Sequence, residues 1–480
     1  MNPAGSRFID SFLATNPVAL RTALKVSVSV WGAFVISLLC GFEHPLWATI
    51  TGMISFFGAE HAQVMKKCIY QGLSTVLGGV LGLFIMSSMT QSPLLAACTM
   101  ASMVFVVASI SSNSRDLNVT FCCAIFVITV HIMVLVPVVL TPTTSTLLEI
   151  FIDRVGTVAV GAIWASIVSA SLWPIFSGNV LRVQAARLYP LVAALCRDAL
   201  AARAVVDGHL ASLHDSMMEI EDTASHSEFE GAWGRRSAAV AREMNRTVLG
   251  IALQVVAFHR FRLPGDSVGF SAGLAQLNSL QRKFDRPDDK SVPGVRLPKQ
   301  HAVRNALLTG TRSALLFIAA FSFWTATGWA YGFLIGIVPL VFSIMFAKLP
   351  HSGVLVVRAL AGSLLSIPVG LVIFVLLAGA PSAVEIMLVT AGPVLFVGLM
   401  GLSSPATFPY SLGFCLNFMI FLLPQNVPVT DAVFAIERTL AVSIGLVFLA
   451  ILFNALPPLV PDRSKEAAVR MARLGLDLSP

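Results

Sequence analysis

The sequence predicts an all-α polytopic membrane protein of about 12 transmembrane helices, arranged as two parallel six-helix repeats with a helical cytoplasmic domain inserted between them. The first observation is composition: 56% of the 480 residues are hydrophobic and only 12% are charged, against about 25% charged residues in a soluble domain. The second is that the apolar runs are continuous, which favours helices over the alternating strands of a spanning β-barrel. The third is that the runs form two groups, separated by a polar block.

Each candidate span is an apolar run of about 20 residues, enough to cross a hydrocarbon core about 30 Å thick. The runs of the first half are 22–40, 45–63, 67–88, 92–112, 117–137 and 147–174. Those of the second half are 307–327, 329–347, 352–378, 382–401, 407–424 and 430–457. The predicted domains are a first membrane repeat over 1–177, a helical cytoplasmic domain over 178–304, a second membrane repeat over 305–460 and a cytoplasmic tail over 461–480. A Pro- and Asp-rich stretch at 282–299 is the predicted linker back to the membrane.

Basic residues predict which side of the membrane each loop faces. No Lys or Arg occurs in the loops at 41–46, 89–93, 138–146, 379–384 and 425–429. The opposite side carries most of the basic residues, including Lys66, Lys67, Arg115 and Lys348. Because positively charged loops stay in the cytoplasm, both termini and the central block are predicted to be cytoplasmic. The same rule accounts for the net charge of +7, so no nucleic-acid partner is expected.

The two membrane halves resemble each other in order. LRTALK at 20–25 matches TRSALL at 311–316, and IDRVGTVAVG at 152–161 matches IERTLAVSIG at 436–445. An even number of spans in each half makes the repeats parallel, and transporters built in this way bind substrate between their halves. The repeat therefore predicts a site between the two halves.

Two acid–arginine neighbours interrupt the sixth and twelfth spans at matching positions: Asp153 with Arg154, and Glu437 with Arg438. A charge at the centre of a span costs about 2.5–3.5 kcal/mol on insertion scales, so such residues are functional candidates by default. Neighbours on a helix point about 100° apart, so each acid and its adjacent Arg need partners on other helices. The alternative is that both sets only pin helices together.

Four further residues are candidates. His131 lies in the apolar run VITVHIMVLV and is a possible proton carrier or a core histidine. Glu385 opens the tenth span and either moves protons or extends to the outer surface. Lys66 and Lys67 follow the second span and either attract carboxylates or only set orientation.

The sequence carries no signature of catalysis. No GxxxxGK[ST] motif, GxSxG motif or metal-ligand spacing of His, Cys and carboxylates occurs. The seven cysteines show no CxxC spacing. We therefore expect neither an enzyme nor a cofactor, and no metal site.

HPLWATITGMISFFGAEHAQVMKKCIYQGLSTVLGGVLG at 44–82 resembles the signature of the fusaric acid resistance or aromatic acid exporter family. In that signature a Pro-x-Trp-Ala helix start leads into a basic turn and a Gly-rich helix, and GWAYGFLIGIVPLVFSIMFAKLP at 328–350 resembles its repeat. The family more often has Arg where this chain has Gln71. Plant aluminium-activated malate transporters are similar to one half. The resemblance implies a multi-pass exporter of aromatic carboxylic acids in the bacterial inner membrane, working beside a periplasmic adaptor protein.

The resulting hypothesis is a secondary, proton-driven exporter of aromatic or hydrophobic carboxylic acids. Its expected partners are the acid substrate, membrane lipid and a periplasmic adaptor. The candidate substrate-binding residues are Arg154, Arg438, Lys66 and Lys67, and the candidate proton-coupling residues are Asp153, Glu437, His131 and Glu385. Two alternatives remain open: a passive organic-anion channel, and a membrane scaffold whose cytoplasmic helices recruit another protein.

Overall fold

The computed structural model describes residues 17–57, 60–89, 92–114, 116–140, 144–200, 206–261, 267–283, 303–349, 351–377, 384–422 and 431–457. Across these ranges the chain forms α-helices and two short 3₁₀ helices, with no strand. The all-helical fold class is confirmed. Contacts divide the chain into two compact units. Unit 1 is drawn from Met1–Ala59, Lys67–Trp173 and His301–Leu459, and unit 2 from Glu60–Lys66, Pro174–Gln300 and Val460–Pro480.

The helices of the first membrane half are α1 Pro17–Leu39, α2 Leu46–Ile54, α3 His61–Met89, α4 Pro93–Asn113, α5 Leu117–Leu140 and α6 Thr144–Ser171. The polar block forms α7 Ser177–Leu200, α8 Val206–Ser227, α9 Gly231–Phe261 and α10 Ser267–Lys283. The second half forms α11 Val303–Thr327, α12 Leu334–Met345, α13 Ser352–Leu377, α14 Val384–Met400, α15 Phe408–Leu422 and α16 Ala432–Ala455. The 3₁₀ helices are Phe346–Lys348 and Gly401–Ser403.

Nine of the described helices are long and apolar enough to cross a membrane, so the chain is a multi-pass membrane protein. The predicted layout of twelve spans is not confirmed, because the second helix of each half is short. Helix α2 has 9 residues, about 14 Å at 1.5 Å per residue, and α12 has 12. Helix α15 is also short, with 15 residues.

Tightened turns end α2 well before the predicted limit of the 45–63 span. The backbone N–H groups of Phe56 and Phe57 donate to carbonyl oxygens three residues back, on Met53 and Ile54. Helix α12 ends in the same way, since it runs into the 3₁₀ helix Phe346–Lys348. Hydropathy does not show where α2 and α12 end, because the residues on both sides of each helix end are apolar.

One apolar core joins the two membrane halves within unit 1. Helix α4 packs on α11, α5 packs on α12, and α1 packs on α14. The core contains fully buried residues from both halves, such as Val130 and Phe317. The halves are therefore packed together directly across a shared interface.

A glycine at matching positions of α6 and α16 allows each of these helices to touch the short helix of its own half. A Cβ atom at Gly161 would lie 2.6 Å from the Ala48 carbonyl oxygen, and one at Gly445 would lie 2.0 Å from the Ile335 carbonyl oxygen. Both distances are below any normal contact, so only glycine fits. The short helices α2 and α12 are thus fixed to the helices that carry the acid–arginine neighbours.

Unit 2 contains α7 to α10 around an apolar core of its own. Its main polar cluster is centred on Arg242, whose Nε donates to Glu221 Oε1 at 3.1 Å and whose NH1 donates to Glu228 Oε1 at 2.5 Å. Burial alone lowers the pKa of Arg242, but the two carboxylates outweigh burial and raise it above its ordinary value. The cluster joins α9 to α8 and to the turn after α8.

Some predicted features lie outside the described residues. They are the tail over 461–480, the linker beyond Lys283, and Arg115.

Candidate functional site

A cavity of about 260 Å³ lies in unit 1, with walls from both membrane halves. The first half contributes residues of α2, α3, α5 and α6, and the second contributes residues of α12, α15 and α16. The walls are mainly branched aliphatic side chains, including Ile50, Ile54, Ile125, Ile128, Val338 and Ile420. A mostly apolar cavity with a few polar groups is the usual form of a small-molecule site.

Arg154, on α6, lines this cavity and is 4% exposed. Its guanidinium carbon lies 3.9 Å from the centre of the Trp47 ring, in cation–π geometry. Its Nε and NH1 atoms are buried, and no described residue accepts a hydrogen bond from them. The ring therefore covers one face of the guanidinium while its N–H donors stay available.

Arg438, on α16, lines the same cavity and is 8% exposed. Its guanidinium carbon lies 5.9 Å from the centre of the Tyr331 ring, and its Nε and NH2 atoms are buried without a described acceptor. The sequence separation of Tyr331 and Arg438 equals that of Trp47 and Arg154. The repeat thus places an equivalent guanidinium–aromatic pair in each half, and both pairs line one cavity.

Asp153 also lines the cavity, but its carboxylate is bonded to the loop before α2. Its Oδ1 accepts from the Glu43 backbone N–H at 2.8 Å, and its Oδ2 accepts from His44 Nδ1 at 3.1 Å. It makes no ion pair with Arg154. Asp153 fixes the chain that leads into α2, and so it helps to hold Trp47 against Arg154.

Glu437 is placed differently from its counterpart Asp153. It is half-buried, is not among the residues that line the cavity, and makes no hydrogen bond or ion pair with a described residue. Glu385 lies in the first turn of α14, is exposed, and does not line the cavity. The four candidate proton carriers are therefore not gathered at one place.

His131, on α5, is fully enclosed by the two halves. Its Nε2 donates to the Phe333 carbonyl oxygen at 3.0 Å, and its ring meets Phe317 edge-on with centroids 5.8 Å apart. Its Nδ1 is buried, and no described residue bonds to it. His131 links α5 to the turn before α12, beside the cavity rather than in its wall.

Lys66 and Lys67 are each 5% exposed and do not line the cavity. Within unit 2, the Lys66 ammonium lies 5.8 Å from the centre of the Phe229 ring. Within unit 1, the Lys67 ammonium lies 6.0 Å from the centre of the Phe121 ring. Neither lysine is brought together with the two arginines.

Sequence reasoning did not identify the aromatic partners Trp47 and Tyr331, nor His44 as a partner of Asp153. Their signal was present in the repeat, because aligning Arg154 with Arg438 also aligns Trp47 with Tyr331. Gln71, noted only as a departure from the family pattern, also lies in the cavity wall, where its Nε2 donates to Thr51 Oγ1 at 3.1 Å.

The fold and the cavity define a helical, multi-pass membrane protein with a ligand-sized site shared by two repeats. The sequence profile of the fusaric acid resistance protein family matches residues 19–277 and again 267–478. The chain belongs to this family, which is consistent with a transporter. Among curated proteins, none matches it in sequence.

Proposed function

We propose that this protein is a secondary, proton-driven efflux transporter of aromatic or hydrophobic carboxylic acids across the bacterial cytoplasmic membrane. One observation carries the proposal: two buried arginines line a single apolar cavity between the repeats, and no described residue accepts hydrogen bonds from their buried N–H groups. The family match supports it.

The chemistry of the site suits an organic carboxylate. A guanidinium binds both oxygens of a carboxylate at once, which gives affinity and orientation. The aliphatic walls favour an apolar body and exclude water, and low polarity strengthens the charge interaction. An inorganic anion would gain the interaction with the guanidinium but not the contact with the aliphatic walls.

In the proposed cycle the acid enters from the cytoplasm, binds between the halves, and leaves outward as one half moves against the other. Inward proton movement supplies the driving force. Glu437 is the favoured proton carrier, because it makes no bond with a described residue, whereas Asp153 is held by the loop before α2. A periplasmic adaptor would carry the acid onward.

The test is an export assay in intact cells. Cells with and without the protein are loaded with labelled benzoate, 4-hydroxybenzoate, cinnamate or hexanoate, and loss of label is followed. We expect faster loss of the aromatic acids, abolished by a protonophore while cellular ATP is maintained. Equal loss in both cell types contradicts the proposal. Faster loss that the protonophore leaves unchanged contradicts proton coupling and favours a passive channel, which single-channel recording in planar bilayers then identifies.

A further inference from the structure

The cavity of unit 1 offers two equivalent positions for an anion. Arg154 with Trp47 forms the first and Arg438 with Tyr331 forms the second, and all four residues line the cavity. In each pair the aromatic ring interacts with the guanidinium through its face. The N–H donors in the guanidinium plane are the groups that a carboxylate would use.

A helix start accompanies each pair. Helices α2 and α12 begin at Leu46 and Leu334, and both residues line the cavity. The backbone N–H groups at both starts already donate to carbonyl oxygens of the preceding turn, such as Trp47 to His44 and Leu334 to Tyr331. The partial positive charge of a helix start resides on unbonded N–H groups. The two guanidinium groups are therefore the donors that these helix starts leave for an anion.

The two guanidinium groups that line the cavity lack hydrogen-bond acceptors among the described residues. Among the described lining residues Asp153 is the one carboxylate, and its oxygens already accept hydrogen bonds from Glu43 and His44. A ligand with one carboxylate would satisfy one guanidinium and leave the other buried without an acceptor, which is an unfavourable arrangement for a charge. A ligand with two anionic groups would satisfy both.

We propose that the preferred ligand carries two anionic groups on one apolar body, one group for each guanidinium–aromatic pair, and that it is an aromatic dicarboxylate. This rests on the proposed function and narrows its substrate class. The aliphatic wall accounts for the apolar body. A cavity of about 150 Å³ accommodates benzene, so 260 Å³ leaves room for a ring with two carboxylates.

The test measures binding to the purified full chain in detergent by isothermal titration calorimetry. The probes are benzoate, the three benzene dicarboxylates, and the neutral diamide of the tightest of them. We expect that one dicarboxylate binds at 1:1 stoichiometry and at least about tenfold more tightly than benzoate, because tenfold corresponds to one net hydrogen-bonded charge contact. The diamide should not bind measurably.

Arg154→Gln and Arg438→Gln should each reduce dicarboxylate affinity to that of benzoate. Arg358→Gln is the matched control. Arg358 lies over Tyr410 at 5.9 Å, the same distance as between Arg438 and Tyr331, but neither Arg358 nor Tyr410 lines the cavity. It should leave the affinities unchanged. Arg154→Lys and Arg438→Lys keep the charge if a Gln variant fails to fold, and each should weaken dicarboxylate binding more than benzoate binding.

Three results would overturn the proposal while leaving transport of monocarboxylates intact. They are benzoate affinity equal to that of every dicarboxylate, two benzoates bound per chain, and a fall in dicarboxylate affinity in only one of the two arginine variants. If no acid binds at all, both this proposal and the proposed function fail.

Discussion

Arg154 and Arg438 combine a large burial cost with only partial compensation from the protein. An arginine at the centre of a span costs about 2.5–3.5 kcal/mol on insertion scales. Contact with an aromatic face stabilises a guanidinium by about 0.5–2 kcal/mol. The guanidinium carbon lies 3.9 Å from the ring centre for Arg154 and 5.9 Å for Arg438. The remaining cost is a reason for an anion to bind here, because binding would supply the missing acceptors.

The acids beside these arginines should differ in what their neutral variants lose. Asp153→Asn replaces the charged acceptor of the hydrogen bonds from Glu43 N–H and His44 with a neutral amide. We therefore expect the free energy of unfolding to fall by about 1.5–3 kcal/mol, the usual value for a hydrogen bond to a charged group. Glu437→Gln breaks no bond with a described residue, and stability should change by less than about 0.5 kcal/mol. If Glu437 carries the proton, this second variant should lose the pH dependence of export.

Chemical denaturation in detergent and export at pH 5.5 and 7.5 would measure both effects. Equal stability losses would contradict the distinction between the two acids. Normal pH dependence in Glu437→Gln would move the search for the proton carrier to His131.

Glu60, in unit 2, should make stability depend on pH. Burial, followed by the charges of Glu230 and Asp222, raises its pKa above the ordinary value of 4.5, although Ser177 and His226 oppose the shift. The folded state then holds this proton more tightly than the unfolded state, so stability is lost as pH rises from about 4.5 through the raised pKa.

Glu60→Gln removes the ionisable group, and with it the loss of stability that Glu60 causes as pH rises. The melting temperature of the variant relative to the unmodified protein should therefore increase between pH 4 and pH 8. Glu385→Gln, at an exposed position in unit 1, is the control, and a trend shared by both variants would contradict the assignment to Glu60. A melting-temperature difference that stays constant across this pH range would show that Glu60 ionises normally.

At the scale of elements, each half closes its first helix onto its last with a buried cation. Lys25 Nζ donates to the Trp173 carbonyl oxygen at 3.5 Å, and Arg312 NH1 donates to the Leu456 carbonyl oxygen at 3.4 Å. The carbonyls at a helix end lack partners within the helix, so a cation there is favourable. In the alignment of LRTALK with TRSALL, Arg312 matches Arg21, and Lys25 lies one helical turn after Arg21. The alignment therefore did not identify Lys25 as the equivalent cation.

The glycines that admit α2 and α12 provide the sharpest test of packing between elements. Gly161→Ala and Gly445→Ala should each destabilise the protein by about 1–3 kcal/mol, because the new methyl group meets a backbone oxygen that cannot rotate away. Gly72→Ala, on α3, has no atom within 4 Å of the new carbon and should stabilise the protein by about 0.5–1 kcal/mol. Equal changes in melting temperature for all three variants would contradict the close approach.

Helix class was predictable from the sequence, but helix breaks were not. Continuous apolar runs with few charges identify membrane helices because every backbone group must be paired inside lipid. The ends of α2 and α12 fall inside such runs, where Phe56 and Phe346 are as apolar as the residues before them. Only the backbone bonding distinguishes a break from a continuous span.

For the site, charge was the informative signal. Arg154, Arg438 and Asp153 stood out as charges in apolar runs, and all three line the cavity. Trp47 and Tyr331 did not stand out, because an aromatic residue in an apolar run is most often core or lipid-facing. Lys66 and Lys67 drew attention by charge alone, yet they lie against other aromatic rings, outside the cavity wall.

For the whole molecule, the direction of transport depends on orientation, which cysteine labelling can test. The native Cys40 and Cys98 are exposed, so all cysteines are replaced first. Single cysteines at exposed Glu43 and Asp431 should then react with an impermeant thiol reagent in intact cells, and one at exposed Ser212 should react only after lysis. Reaction at position 212 in intact cells would show that the orientation is the opposite of the predicted one. The proposed direction of transport would then be inward.

The central claim is that both arginines of the shared cavity bind the transported acid. Its most direct test is the initial rate of labelled benzene dicarboxylate efflux from proteoliposomes that contain the purified chain, with a proton gradient imposed. We predict that Arg154→Gln and Arg438→Gln each lower the dicarboxylate rate at least about tenfold, and that Arg358→Gln leaves it unchanged. Rates for either cavity variant equal to that of the unmodified protein, at subsaturating substrate, would contradict the claim.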